Sequence, residues 1–298
     1  MRLVPSGKLK VFGFAAFIAV VLLACTTHSV IYEKLSPHGA IVVTEDDRGL
    51  RTLLLDNSGA RQSVVKPDDP GHLELAYTRV AMLALAICEE PSRILVVGLG
   101  GGTLPMFLRK HYPDATISVV EINPDVVDVA KRFFGFREDA HLRVHVGDGR
   151  HFIENIRLLP YDIIFLDAFG AESIPAHLAT QEFLQAVRRA VAPGGVVVGN
   201  VWRGSHNRLY DPMVRTYQEV FDELFIAEVA GDVNNMLFAL PRRQLLNQSE
   251  LAIAARKVSE LRRFPFDLGR LAEASFYHAR EKKQETSVLR DADLGQAK

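Results

Sequence analysis

Short runs of Val, Ile and Leu alternate along the middle of the chain with segments whose apolar residues recur at helical spacing. Continuous apolar strands separated by helices are typical of a parallel sheet that is covered on both faces. The predicted strands of this sheet are residues 93–98, 116–121, 142–146, 162–167 and 196–201. The predicted helices are residues 73–88, 103–111, 124–134, 153–156, 180–191, 213–221 and 249–261. The pattern therefore predicts an α/β fold with a mostly parallel sheet.

Two further β regions flank this alternating unit. Residues 40–44 and 51–55 are predicted strands, and the polar stretch 45–49 joins them as a hairpin. Residues 225–229 and 236–240 are predicted to close the large sheet as an antiparallel pair. The chain thus divides into an N-terminal segment at 1–30, a small β-cap at 31–66, a large α/β domain at 67–245 and a C-terminal helical extension at 246–298. The polar last ~20 residues of that extension are expected to fray.

The N-terminal segment has a pattern typical of a secretory signal or a membrane anchor. Arg2, Lys8 and Lys10 precede a charge-free run at 11–24, and Cys25 follows that run. A basic start, a short apolar run and a small residue form the layout of a secretory signal. The basic flank favours a cytoplasmic start, so the sequence predicts a membrane-associated or exported protein.

Three interpretations of this segment stay open. A bacterial lipoprotein signal would place a lipid on Cys25, because Leu-Leu-Ala-Cys resembles a lipobox. An uncleaved anchor would extend the span to about Val30, nearer the ~20 residues that cross a bilayer. The third interpretation is a buried N-terminal helix of the folded domain.

Composition narrows the classes of function. The 298 residues include 35 Lys and Arg and 36 Asp and Glu, and this near-zero net charge argues against a generally basic nucleic-acid binder. The 48% of hydrophobic residues excludes wholesale disorder. Two cysteines cannot form a disulfide scaffold or a four-cysteine zinc site, and the ten histidines show no metal-ligand spacing. No metal site and no permanently bound cofactor are predicted.

A glycine-rich turn follows the first strand of the large sheet and precedes a helix. The turn contains Gly98, Gly100, Gly101 and Gly102. Glycines let the backbone turn sharply and approach a ligand closely, and the helix start presents N–H groups to polar ligand atoms. A tight strand–helix turn without a ligand is the alternative interpretation of this motif alone.

Three carboxylates follow the next three strands. Glu121 ends the second strand, where an acid can accept hydrogen bonds from both ribose hydroxyls. Asp148, followed by Gly149, ends the third strand, where an acid can accept from an exocyclic amine such as N6 of adenine. Asp167 ends the fourth strand. Because ligands bind outside the carboxyl ends of parallel strands, the set predicts an adenosine-bearing ligand, with S-adenosylmethionine favoured over NAD. A helix-capping acid and an Asp-Gly turn are the alternatives for the first two.

Residues 52–240 resemble the spermidine synthase (polyamine aminopropyltransferase) family. The resemblance is carried by Leu55-Asp56 with Gln62, by Glu74-Leu75-Ala76-Tyr77, by Val120-Glu121-Ile122-Asn123, by Gly147-Asp148-Gly149 and by Asp167. It implies a Rossmann-like sheet of the class I methyltransferase type, with Gln62 on the nucleoside and Tyr77 in the substrate pocket. It also implies that Asp167 is the general base and that decarboxylated S-adenosylmethionine is the co-substrate.

The sequence departs from the family pattern at three places. Gly100 occupies the place of an Asp that binds the amino end of the donor, and Gly170 falls on the second acid of an Asp-Ser-Ser-Asp loop. Thr78 follows Tyr77 where the family has Gln. A polyamine nitrogen is charged near neutral pH and needs acidic partners, so Glu172 is a candidate replacement in the same loop.

We therefore expect a spermidine synthase-like transferase that moves an aminopropyl group to a small-molecule amine, with the membrane as a partner through the N-terminal segment. A homodimer is an open alternative for its assembly. A methyltransferase that uses S-adenosylmethionine itself is the alternative enzyme, because Gly100 leaves room for the donor's extra carboxylate. A non-catalytic nucleoside-binding protein of the same fold is the third alternative.

Overall fold

The computed structural model describes residues 28–37, 39–55, 61–156, 159–168, 175–283 and 285–294. These residues form a four-stranded antiparallel sheet and an eight-stranded sheet flanked by helices. The predicted α/β class, with a mostly parallel large sheet, is confirmed. Within the described ranges, no helix combines the length and the apolar character needed to cross a bilayer. The predicted leader lies outside the described residues except for its last three positions.

The small sheet contains the predicted hairpin and adds one strand on each side of it. Its strands, in spatial order, are β1 (Ser29–Ser36), β2 (Gly39–Glu45), β3 (Arg51–Leu55) and β4 (Arg61–Val65). Alternate residues face inward, so Ile41, Val43 and Leu53 share one fully buried face. They pack against Val126 and Val129 of the helix after the second strand of the large sheet. This contact places the small sheet beside the carboxyl ends of the parallel strands.

The order in which strands are added to the large sheet reverses at its centre. Its strands are β5 (Arg93–Val97), β6 (Thr116–Glu121), β7 (Leu142–Val146), β8 (Tyr161–Leu166), β9 (Val191–Trp202), β10 (Glu223–Glu228), β11 (Asn234–Leu240) and β12 (Tyr277–His278). The spatial order is β12-β10-β11-β9-β8-β5-β6-β7. Strands β5 to β9 run parallel to one another, whereas the pairs β9–β11, β11–β10 and β10–β12 are antiparallel. The order reverses between β5 and β8, which is where open α/β sheets bind ligands.

Helices cover both faces of this sheet. They are α1 (Ala76–Ala81), α2 (Ala84–Ile87), α3 (Thr103–His111), α4 (Pro124–Phe133), α5 (Gly149–Glu154), α6 (Gln181–Ala190), α7 (Tyr210–Val220), α8 (Gln248–Leu261) and α9 (Leu268–Ala274). Ile94 and Val96 of β5 face one layer, which includes α3 and α8. Leu95 and Val97 face the other, which includes α6 and α7. Burial on both faces explains why the strand is continuously apolar.

The structure differs from the predicted elements at three places. The predicted helix at 73–88 is two helices, and at the break Met82 and Leu83 make i→i−3 hydrogen bonds. Residues 81–86 are apolar and buried on all sides, so no polar face in the sequence marks this break. The helix expected at 153–156 begins already at Gly149, where Asp148 caps it. The strand expected at 196–201 begins already at Val191, and a bulge lies between the Val191–Tyr161 and Val196–Ile163 pairs.

The C-terminal segment does not fray over residues 285–294. The Leu289 N–H donates to Thr216 Oγ1 of α7 at 3.0 Å, and the Leu289 carbonyl accepts from Gln181 N–H of α6 at 2.8 Å. Two nitrogens of Arg150 donate to the two carboxylate oxygens of Asp291 at 2.7 and 2.5 Å. A two-point arginine–carboxylate contact is stronger than a single hydrogen bond, so this segment is tied to α5.

We expect the substitution Asp291→Ala to release the C-terminal segment. Removal of the two-point contact should speed hydrogen exchange of the Leu289 amide by about tenfold, the equivalent of one charge-assisted hydrogen bond. Exchange measured by mass spectrometry checks this result. The control is Asp128→Ala, which removes a half-exposed ion pair with Arg132 elsewhere. Equal exchange in the two variants would show that the segment is held by other contacts.

Candidate active site

A cavity of about 300 Å³ opens at the carboxyl ends of β5, β6, β7 and β8. Its size is in the range of small-molecule sites. The predicted site residues that line it are Gln62, Tyr77, Gly98, Gly100, Glu121, Asp148, Gly149 and Asp167. The small sheet and the strand ends together bring residues as far apart in sequence as Gln62 and Asp167 into one cavity.

The first glycine of the turn joins the ends of β5 and β8. Gly98 has a φ of +100°, and a Cβ atom there would lie 2.5 Å from the Asp167 carbonyl oxygen. The Asp167 N–H in turn donates to the Val97 carbonyl at 2.9 Å. Only glycine allows this close approach, so Gly98 brings the Asp167 backbone against the turn.

The other glycines of the turn have different surroundings. Gly100 lines the cavity, and a Cβ atom there would lie 3.5 Å from Ser63, an ordinary contact distance. Gly101 and Gly102 are buried against Val65 and Phe136 and are absent from the cavity lining. The structure thus places these two glycines in the packing of the turn, behind the residues that face the cavity.

Backbone N–H groups hold the carboxylate of Glu121. One oxygen accepts from the Leu99 N–H and the other from the Asn123 N–H, both at 2.9 Å. Burial raises the pKa of Glu121, while these backbone hydrogen bonds act to lower it. Because each carboxylate oxygen has two lone pairs, Glu121 can still accept from a ligand hydroxyl.

Asp148 has a partner that the sequence did not reveal. One carboxylate oxygen caps α5 by accepting from the His151 N–H at 2.8 Å, and the other lies 3.0 Å from Nε2 of His177. His177 comes from a 3₁₀ turn at Ala176–Leu178 and also lines the cavity. Burial acts to raise the pKa of Asp148, but the hydrogen bonds outweigh it and the pKa is lowered. Asp148 is therefore an ionised acceptor at neutral pH.

Asp167 is enclosed by protein except where it faces the cavity. Asn200 donates to one carboxylate oxygen at 2.8 Å, and the Tyr77 hydroxyl lies 3.4 Å from the other. Burial raises the pKa of Asp167 to about 7, although both hydrogen bonds act to lower it. A carboxylate that exchanges its proton near neutral pH has the property of a general base.

Two asparagines and two hydroxyl groups at the site were not predicted from the sequence. Asn200 follows the apolar run of β9, and Asn234 begins β11; both are almost completely buried. The hydroxyls of Ser63 and Thr103, two residues that also line the cavity, lie 2.9 Å apart. A buried Asn in an otherwise apolar strand was a usable signal, since such a polar side chain needs a partner.

Some predicted features lie outside the described residues. These are Asp56, Gly170 and Glu172. Among the residues that the structure does describe, no three His, Cys, Asp or Glu side chains are grouped so as to hold a metal ion.

Comparison with known proteins agrees with this geometry. The family model for the spermine/spermidine synthase domain matches residues 74–230. A polyamine aminopropyltransferase of Vibrio vulnificus is 35% identical over 236 residues, which cover 76% of this chain and 78% of that protein. The fold and the site define a transferase with a class I methyltransferase-like sheet. The chain belongs to the spermine/spermidine synthase family.

Two solved structures extend the comparison. Spermidine synthase from Thermotoga maritima has a TM-score of 0.63 at 20% identity and covers 83% of this chain and 84% of its own, which shows the shared fold. Human methyltransferase-like protein 13, solved in complex with SAH, has a TM-score of 0.59 at 30% identity. That match covers 64% of this chain and 94% of the human one.

We expect Gly98→Ala to disrupt the site. The added methyl group meets the Asp167 carbonyl in a left-handed backbone conformation, so the free energy of unfolding should fall by about 1–3 kcal/mol or more. Urea unfolding measures this effect.

The matched control for this prediction is Gly147→Ala. Gly147 also lines the cavity, but an added Cβ atom there has nothing within 4 Å. If both variants lost stability equally, the close approach of Gly98 to Asp167 would not be the cause.

Proposed function

We propose that the protein transfers the aminopropyl group of decarboxylated S-adenosylmethionine to a small-molecule amine. The observation that carries this proposal is Asp167, a partly buried carboxylate with a pKa of about 7 in a cavity that Glu121 and Asp148 also line. The family to which the chain belongs supports the same reaction.

The cavity divides into a nucleoside part and a reaction part. Glu121 is the acceptor for the ribose hydroxyls, and Asp148 is the acceptor for the amino group of adenine, with Gln62 beside them. These residues orient the donor and take no part in bond changes. Tyr77 and Asp167 lie at the other part, where their side chains contact each other.

The reaction is a displacement at carbon. The lone pair of the amine attacks the propyl carbon next to the sulfonium, a C–N bond forms, and the C–S bond breaks. The sulfur keeps the electron pair and leaves as neutral 5′-methylthioadenosine. The attacking nitrogen must lose a proton, and the ionised Asp167 accepts it. Glu172 stays a proposed second contact of the acceptor.

Methyl transfer from S-adenosylmethionine is the second candidate. Two observations favour it: the human relative solved with SAH, and Gly100, which stands where the family has an acid for the amino end of the donor. Gly100 lines the cavity but has no side chain, so this position supplies no acid for the amino end of the donor.

Turnover with each donor separates the two candidates. The full chain is incubated with decarboxylated S-adenosylmethionine or with S-adenosylmethionine and a panel of amines, and the products are identified by mass spectrometry. We expect 5′-methylthioadenosine together with an aminopropylated amine from the first donor. Methylated amine and SAH from the second donor alone would refute aminopropyl transfer.

We expect Asp167→Asn to lower kcat by about 10²–10⁴-fold, because the variant cannot take up the proton. In the unchanged protein, the base is ionised above its pKa, so the rate should rise as pH increases through about 7 and then level off. A pH–rate profile measures both effects.

The control for this prediction is Asp162→Asn at the opposite end of β8. The Asp162 carboxylate accepts from the Ser92 and Arg93 N–H groups and is remote from the cavity lining. This variant should keep the rise near pH 7. Survival of the Asp167→Asn activity within about threefold would remove Asp167 from the role of base.

We also propose that residues 1–30 direct the protein to a membrane, as a lipoprotein signal or as a single anchor. The basic start and the charge-free run support this proposal.

Fractionation of bacterial cells that express the full chain should recover it with membranes. Cys25→Ser should release it if a lipid on Cys25 is the attachment, and should leave it bound if the segment is an uncleaved anchor. Recovery of the unchanged chain in the soluble cytoplasmic fraction would contradict both forms.

A further inference from the structure

A line of three side chains leads from the interior of the large sheet to the site. Asn234 Nδ2 donates to Asn200 Oδ1 at 2.6 Å, and Asn200 Nδ2 donates to Asp167 Oδ1 at 2.8 Å. Asn200 is 2% exposed and Asn234 is 6% exposed. Neither asparagine lines the cavity, so this line reaches Asp167 from outside the cavity.

The strand pairing explains why these residues meet. Asn200 lies near the end of β9 and Asn234 at the start of β11, and these two strands run antiparallel. Asn234 pairs with Trp202, two positions from Asn200, so the two asparagine side chains are diagonal neighbours on one face. β8, whose end carries Asp167, is the next strand on the other side of β9.

Hydrogen-bond chemistry fixes the direction of this line. An asparagine amide has one accepting oxygen and one donating nitrogen. The oxygen of Asn200 is occupied by the amide of Asn234, so its nitrogen faces Asp167. The reverse orientation would place the Asn200 oxygen against a carboxylate oxygen and two amide nitrogens against each other. In this arrangement Asn200 accepts from Asn234 and donates to Asp167.

We propose that Asn234 and Asn200 are positioning residues that form a two-amide relay, which orients the Asp167 carboxylate and favours its ionised form. The proposal rests on the proposed role of Asp167 as the base. A donor to a carboxylate stabilises the charged form over the neutral form. Burial alone would keep Asp167 protonated to a higher pH, and the relay counteracts that effect.

The other groups that face Asp167 are few among the described residues. The Tyr77 hydroxyl of α1 donates to the second carboxylate oxygen at 3.4 Å, a longer contact than the one from Asn200. Burial raises the pKa of Tyr77, the charge and hydrogen bond of Asp167 raise it further, and Asp232 from the turn between β10 and β11 has the smallest effect. The strongest hydrogen bond on Asp167 therefore comes from the relay.

Direct titration of Asp167 tests the relay without any need for turnover. The full chain, purified in mild detergent, is labelled with ¹³C at the aspartate carboxyl groups, and Asp167→Asn identifies the Asp167 signal. We expect Asn200→Ala to move the titration midpoint of Asp167 upward by about one pH unit, the equivalent of one hydrogen bond to a charged group. Asn234→Ala should move it in the same direction by less.

Two further variants guard against a general loss of structure. Asn235→Ala is the matched control: Asn235 is equally buried and adjacent in sequence, but its amide donates to Tyr210. It should leave the midpoint of Asp167 unchanged. Asn234→Ser keeps a donor at the relay position and should restore part of the shift seen with Asn234→Ala.

The outcome distinguishes the relay from the proposed reaction. A midpoint within about 0.3 pH units of the unchanged protein in both alanine variants would overturn the relay, even if the enzyme were active. An upward midpoint in Asn200→Ala and Asn234→Ala, but not in Asn235→Ala, would support it even if the reaction were methyl transfer. In an active enzyme, the rise of kcat with pH should shift upward with the same midpoints.

Discussion

The burial of one carboxylate, that of Asp167, is the constraint on which the site depends. Removal from water disfavours its charge, and donors on the protein side partly offset that effect. The result is a pKa of about 7 instead of the ordinary 3.8. Between about pH 4 and 7 the folded protein therefore keeps a proton that the unfolded chain has already lost. The free energy of unfolding falls as pH rises through that window. The fold carries a destabilising charge at neutral pH at the position where a base is needed.

The parallel sheet explains how the remaining groups reach this carboxylate. Strand order reverses between β5 and β8, so the glycine turn and the ends of three neighbouring strands share one edge. Glu121 and Asp148 accept from backbone or histidine donors on the protein side, and lone pairs remain on their oxygens for a ligand. Asp167 differs because its donors are an amide and a distant hydroxyl. In the proposed reaction, Glu121 and Asp148 bind the donor and Asp167 takes the proton, and we attribute this difference to their hydrogen-bond partners.

The strands of the sheet and the acids at their ends could be predicted because both depend on local patterns. Apolar runs identify a buried strand, and the residue that follows each run lies at the ligand edge. Residues that act through pairs distant in sequence could not be found this way. Asn200 meets Asp167 across 33 positions, Asn234 meets Asn200 across 34, and His177 meets Asp148 across 29. The predicted helix at 73–88 failed for a related reason, since a segment buried on all sides has no polar face to mark its break.

The central claim is that these strand ends form one adenosine site with Asp167 at its reactive end. A crystal structure of the full chain with 5′-methylthioadenosine tests it most directly. The account predicts ribose hydroxyls within hydrogen-bonding distance of Glu121, the adenine amino group at Asp148 and the sulfur on the side of Asp167. A nucleoside bound elsewhere, or bound here with its sulfur turned away from Asp167, would contradict the account.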